Sequence, residues 1–420
     1  MTRPARVAIV SRSVFPIHGQ GGLERSVYDL ARHLADADVG VTLITRTPRA
    51  EVDPAGIHPR VAMRYVPYRS FPFAGHRGTT IVDRSTAYPL FGLRAGAVAA
   101  DLVSRGEADV VHGFGASVLG YARRRHALPA PLVLNPQGLE EFGATDPSRA
   151  PLKRLAYLPL RRAVLYCAQR ADAVIATDRS LEPAVKSHLR VPDAKIWTIP
   201  NAIDLQELDA RAGIDDGMRV RREAGVADEE IVLLSVGRLE ENKGFHVLAA
   251  ALAALKAHSG RLAQERWRWV IVGAGPFRSR LERVVADAGL ARSVHLVGRL
   301  GDRDLHGWYE AADLFVHPTL YEGSSLVTLE AMAHRRACVV TRAGGLPDKV
   351  KNGVNGWIVE PGDPSALAAA ISGAIDDRLA LMQMGAAGRQ IVEREFSWAA
   401  AVQATLELYD ELLDRGRPSS

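Results

Sequence analysis

Two hydrophobic rhythms alternate along the chain. Short runs rich in Val, Ile and Leu fall at 5–11, 41–45, 108–112, 131–135, 171–177 and 196–201. A second series falls at 231–237, 269–273, 294–298, 314–318, 337–341 and 357–361. Most lack polar alternation, the pattern of parallel strands covered on both faces. Between them lie longer stretches with apolar residues at helical spacing, such as 23–34 and 243–255. Repeated strand–helix units predict parallel sheets joined by crossover helices. Twelve strands are too many for one comfortable sheet, so two sheets of about six are expected. The break is expected just after Pro200-Asn201, where Pro disfavours helix and opens a connector. A last helix at 398–413 follows the second sheet, and 416–420 reads as a disordered tail. The halves share an architecture without a visible sequence repeat.

Length agrees with this division, since 420 residues fit two domains. A chain 47% hydrophobic and 24% charged is too apolar to be disordered for most of its length. No stretch approaches the roughly 20 apolar residues of a membrane span. The run at 7–10 is too short for a signal peptide. Cys167 and Cys338 cannot make a disulfide framework or a metal site, so a reducing, cytoplasmic setting is expected. Charge is uneven: residues 1–204 hold 27 Lys and Arg against 18 Asp and Glu, the remainder 26 against 30. Within 120–170 the balance is nine against three. Such a surplus either attracts an anionic partner or is simply a solvated, Arg-rich surface.

Ligands of doubly wound sheets bind beyond the carboxyl ends of the strands, so the residues just after each strand are the candidates. After the first strand, Gly21-Gly22 opens a helix, where free amides suit an anion. After 231–237, Arg238 and Lys243 could clamp a diphosphate. After 314–318 comes Glu322-Gly323-Ser324-Ser325-Leu326, with Glu330 eight positions beyond Glu322. Eight helical residues rise roughly 12 Å and turn about 80° beyond two full turns. The two carboxylates would therefore serve separate hydroxyls of one extended ligand, with helix-start amides between them. The alternative is one exposed and one capping glutamate. Gly273-Ala274-Gly275-Pro276 suggests a dinucleotide loop, but Arg278 occupies the third glycine position and the next strand lacks an acidic residue after it.

Taken together these residues resemble the retaining nucleotide-sugar glycosyltransferases of glycosyltransferase family 4. The motifs are Gly21-Gly22-Leu23-Glu24-Arg25, Ile199-Pro200-Asn201-Ala202-Ile203-Asp204, Val236-Gly237-Arg238 with Lys243-Gly244, and Gly273-Ala274-Gly275-Pro276. Glu322 with Glu330, Gly344-Gly345-Leu346-Pro347 and Asn352-Gly353-Val354-Asn355-Gly356 complete the set. The resemblance covers nearly the whole chain. It implies an α/β GT-B fold of two doubly wound Rossmann-like domains facing across a cleft. An acceptor-binding domain would span 1–203 and a donor-binding domain 204–395, with a helix at 396–415 packing back on the first.

The resemblance also implies roles. Arg238 and Lys243 would hold the donor diphosphate, Glu330 the ribose, and Glu322 the transferred sugar, with amides of 323–326 nearby. Gly21 and Gly22 would approach the β-phosphate, Gly273 would line the donor site, and Arg299 and Leu300 would meet the base. The donor would be a UDP- or GDP-sugar. The acceptor would be a hydroxyl of a glycan, a lipid-linked species or a small molecule. No metal, no cofactor and no nucleic acid are expected. Where many members carry a His after the fourth N-terminal strand, this chain has Gln137, which can hydrogen-bond but not titrate. Gln137, Glu140 and His112 are the candidate acceptor or sugar contacts, with a structural or capping role as the alternative for His112. Ala333-His334-Arg335-Arg336-Ala337 lacks the family's Gly and Pro, and Asp348 stands where Glu is common. The 69–90 and 139–160 segments read as the acceptor loops, the first aperiodic, and a basic helix at 152–169 either offers peripheral membrane contact or is core-packed with a basic outer face. A phosphorylase or epimerase on the same fold, or a sugar-nucleotide-binding protein without transfer, are the alternatives.

Overall fold

The structure is a computed structural model that describes residues 6–19, 21–48, 57–70, 79–136, 139, 142, 155–257 and 266–415. It divides into two units, Met1–Asn201 with Trp398–Ser420, and Ala202–Ser397.

In the first unit seven strands form one parallel sheet in the order β3-β2-β1-β4-β5-β6-β7. These are β1 (Arg6–Val10), β2 (Gly40–Arg46), β3 (Val61–Val66), β4 (Val110–Phe114), β5 (Leu132–Asn135), β6 (Ala173–Ala176) and β7 (Ile196–Thr198). The sequence pattern misses β3, which among the described residues pairs only with β2 and leaves Ala62, Arg64 and Tyr65 exposed and Met63 half-buried, which breaks the apolar run. The aperiodic loop expected at 69–90 is instead helical from Thr79, in the helix Thr79–Ser104, whose buried apolar stripe through Phe91, Ala95, Ala99 and Val103 lies beyond the expected loop. A Cβ on Gly92 would lie 1.9 Å from the Ala116 carbonyl oxygen, and one on Gly120 2.0 Å from that of Leu93. That close crossing leaves no room for a side chain at either position. The basic helix runs Leu158–Arg170; Lys153 and Arg154 lie outside the described residues, and the Arg161 guanidinium covers the Phe142 ring at 5.1 Å. The C-terminal helix Trp398–Arg415 packs on Gly22–Asp36, with His33 stacked on Trp398.

The second unit holds six parallel strands in the order β10-β9-β8-β11-β12-β13. They are β8 (Ile231–Val236), β9 (Trp267–Val272), β10 (Val294–Gly298), β11 (Leu314–His317), β12 (Ala337–Thr341) and β13 (Gly356–Val359). Alternate residues of β8 enter opposite cores: Ile231 and Leu233 one, Val232, Leu234 and Val236 the other. Burial on both faces is why the run is unbroken in apolar residues. The one polar residue, Ser235, is satisfied: its hydroxyl donates to the Val316 carbonyl at 2.7 Å and accepts from Trp269 Nε1 at 3.0 Å.

The strand starts share a device that sequence reading overlooks. Asp109, Asp172 and Asp313 each precede a strand and accept a backbone N–H from the neighbouring strand, at Arg6, Leu132 and Val232 respectively. Each carboxylate also holds an arginine: Arg6, Arg125 and Arg221. The motif is Ala-Asp-aliphatic, at 108–110, 171–173 and 312–314.

Candidate functional site

The candidate site of the second unit is built from the carboxyl ends of its strands. There the loops approach so closely that side chains are excluded. Gly273 has φ +149°, and a Cβ on it would lie 1.9 Å from the Gly237 carbonyl oxygen. This contact is a sufficient reason for glycine at 273. Past Gly237 the chain reaches Arg238, whose side chain is 75% exposed and pairs with Glu240. A short turn, Glu241–Lys243, ends at Gly244 with φ +67°, where a Cβ would fall 2.0 Å from the Pro318 carbonyl oxygen. That contact and the bond from Leu320 N to the Asn242 carbonyl, 2.8 Å, set Lys243 against the loop after β11.

The result is an ion pair between residues 79 positions apart: Lys243 Nζ donates to Glu322 Oε2 at 2.8 Å. The side chains are 17% and 12% exposed. His317, the fully buried last residue of β11, places Nε2 2.6 Å from the same oxygen. The Gly323 N–H reaches Oε1 at 3.2 Å. Burial by itself raises the carboxyl pKa, but the hydrogen bond and charge of His317 and the Lys243 ammonium overcome it and bring it down to about 2. Glu322 is thus a fixed anion at neutral pH. Sequence reading missed His317 because it scans as a strand terminus.

The next residues are equally constrained. Ser325 caps the helix Leu326–Ala333, its hydroxyl accepting from Thr328 N at 3.4 Å. Gly345 N donates to the Gly323 carbonyl at 3.1 Å, and Gly344, φ +50°, abuts the Glu322 carbonyl. Beneath this loop lies Lys349, fully buried, with Nζ 3.3 Å from Ser324 Oγ and from the Gly345 carbonyl. A lysine there adds positive potential behind the first-turn amides. Nothing in its sequence context marks it. Glu330, one face of the helix further on, accepts from Tyr309 O–H at 2.8 Å through Oε2, and burial pushes its carboxyl pKa up against that hydrogen bond.

The remaining candidates are placed as follows. Arg299 is exposed and Leu300 half-buried just after β10, and neither is among the contacts of Glu322 or Lys243 described above. In the first unit, Gly21 caps the helix that Gly22 begins, both exposed, while Glu24 in its first turn accepts from Ser13 Oγ at 3.0 Å. His112 is buried in the core of that unit. Its Nδ1 lies 2.7 Å from the Tyr409 hydroxyl of the C-terminal helix, and burial lowers its pKa to about 3. Gln137 and Glu140 lie outside the described residues. Among the described residues, no group of three or more His, Cys, Asp or Glu is placed to hold a metal, and no helix is long and apolar enough to cross a membrane. Cys167 and Cys338 are buried, and burial raises both thiols.

Comparison with known proteins bears on the family and the fold. The model of Glycosyltransferase Family 4 matches residues 20–207, and that of Glycosyl transferases group 1 matches 218–391. A D-inositol 3-phosphate glycosyltransferase of Actinosynnema mirum is 30% identical, over 97% of this chain and 98% of its own. An uncharacterized glycosyltransferase of Methanocaldococcus jannaschii is 31% identical over 56% of this chain and 59% of its own. Among solved structures, Anabaena HepE in complex with UDP superposes with a TM-score of 0.72 at 20% identity, over 97% of this chain and all of HepE. Two parallel doubly wound sheets, family models over both halves and a full-length relative together make the chain a glycosyltransferase of family 4, with the GT-B fold.

Proposed function

We propose that the protein transfers a hexosyl group from a nucleoside-diphosphate sugar, first of all a UDP-sugar, to a hydroxyl of a small phosphorylated acceptor, with retention of anomeric configuration and without a metal. The observation that carries this reading is the anchored Glu322 carboxylate, held by Lys243 and His317 where a capped helix begins. A charge so fixed is suited to a sugar hydroxyl and to the positive charge of an oxocarbenium-like transition state. Arg238 and Lys243 would take the departing diphosphate, with first-turn amides beside them, and Glu330 the ribose. In the transfer the anomeric carbon–phosphate oxygen bond breaks and a bond to the acceptor oxygen forms. The acceptor proton passes to the leaving diphosphate, so the products are the glycoside and UDP.

UDP is favoured over GDP by the likeness to HepE, which was solved with UDP. The acceptor class is suggested by the inositol 3-phosphate glycosyltransferases among the relatives and by the basic balance of residues 1–204. The test is a transfer assay with UDP-glucose, UDP-N-acetylglucosamine and GDP-mannose against D-inositol 3-phosphate and its unphosphorylated parent. Product anomers are read by proton NMR. Glu322→Gln and Lys243→Ala should each lower kcat by about a hundredfold or more. Transfer with inversion, or full activity in Glu322→Gln, overturns the mechanism. Turnover with GDP-mannose alone overturns the donor assignment.

A further inference from the structure

We infer that Tyr309 is a positioning residue for Glu330, fixing which carboxylate oxygen faces the donor ribose; this rests on the donor-site reading above. Tyr309 sits on the helix Asp302–Ala311 and is fully buried. Its hydroxyl donates to Glu330 Oε2 at 2.8 Å and lies 3.3 Å from the Val327 carbonyl. The ring cannot swing away. It stacks on His334 at 5.5 Å with 6° between planes, and tilts against Phe315 at 5.9 Å.

His334 is itself locked at both nitrogens. Its Nε2 lies 2.8 Å from His306 Nδ1, and its Nδ1 2.6 Å from Glu310 Oε1. His306 Nε2 lies 3.0 Å from an Arg211 guanidinium nitrogen. A guanidinium only donates, so His306 accepts there and donates from Nδ1. His334 then accepts at Nε2 and donates from Nδ1 to Glu310. Arg211 thereby sets every tautomer in the chain and the orientation of the ring on which Tyr309 rests. His334 lies in the stretch where this chain departs from the family pattern.

With Oε2 engaged, Glu330 turns its remaining lone pairs to two vicinal hydroxyls. The groups facing it are Tyr309 and Asp302 from the Asp302–Ala311 helix, Arg211 from Leu205–Arg211, and His334 at the end of its own helix. Burial raises the carboxyl pKa and the Tyr309 hydrogen bond lowers it, so removing the phenol raises it further. Protonated Glu330 loses acceptor capacity.

The experiment measures binding of UDP, GDP, ADP and inorganic pyrophosphate by calorimetry at several pH values, for wild type, Tyr309→Phe and Glu330→Gln. Tyr309→Phe should weaken the preferred nucleotide about tenfold at neutral pH, move its acidic limb to higher pH, and leave pyrophosphate affinity unchanged. A general packing defect would weaken pyrophosphate too, with no shift of the limb, and overturns the inference. If Glu330→Gln weakens the nucleotide while Tyr309→Phe binds it as wild type at every pH, the inference fails and the donor site stands. If wild type binds a nucleotide and Glu330→Gln binds it equally, or if wild type binds none, the donor-site reading falls and the inference with it.

Discussion

At the residue scale, the candidate site contains charges that burial opposes and partners rescue. Arg238, Lys243, Glu322 and Glu330 stand out in the sequence as separate candidates, because ligands of doubly wound sheets bind beyond the carboxyl ends of the strands. Their mutual arrangement is not legible. Nothing local says that Lys243 and Glu322 meet, or that His317, Tyr309 and Lys349 support them. His317 scans as a strand terminus, and nothing local marks Tyr309 or Lys349 as their partners. Arg335 is a second case: it sits at φ +57°, a left-handed conformation that a side chain disfavours, just past the Leu326–Ala333 helix. Arg335→Gly should therefore raise stability by about 1 kcal/mol, reduced somewhat by the extra freedom glycine has when unfolded. Thermal unfolding of the two proteins checks this, and a lower midpoint for the glycine variant would count against it.

At the element scale, parallel strands buried on both faces were readable, and the helices between them largely so. The failures share a cause. β3 is an edge strand with a mixed burial pattern, and the first turns of Thr79–Ser104 precede the apolar stripe that runs from Phe91 to Val103, so neither stretch carries the periodic apolar signal that betrays an element. The Ala-Asp-aliphatic device at three strand starts was equally hidden, since three residues are too short to register as a repeat. Its energetic role is testable. Asp313→Ala removes the acceptor of Val232 N and the partner of Arg221, and should cost about 2 kcal/mol. Urea unfolding would register this as a lower midpoint. Asp313→Asn, which keeps an acceptor oxygen, should retain part of the loss.

At the scale of the whole molecule, acid stability is governed by buried imidazoles in both units. Burial lowers His18 to about 4, and His112 and His306 to about 3, from an ordinary 6.5. Between those values and 6.5 the unfolded chain binds protons that the folded protein does not. Stability is therefore complete above 6.5 and declines as pH falls. Glu322, held near 2 instead of 4.5, adds to the loss below 4.5. Glu330, raised by burial, acts in the opposite sense: its contribution is present at low pH and lost as pH rises through its folded value. The loss from the three histidines should lower the urea midpoint between about pH 7 and about pH 5. A midpoint unchanged over that interval would show that these imidazoles are not buried neutral.

The sequence by itself determined the fold class, the division near Asn201 into two strand–helix series, and the glycines, cations and carboxylates at strand exits. These follow from local rules: the period of burial and the conformations that glycine permits. Tertiary structure alone decided which of those residues meet. The Lys243–Glu322 pair spans 79 positions, Tyr309 reaches Glu330 across 21, and His112 meets Tyr409 across 297. Such contacts arise from the order of strands in each sheet and from which helix covers which face, properties that no local window of the chain contains.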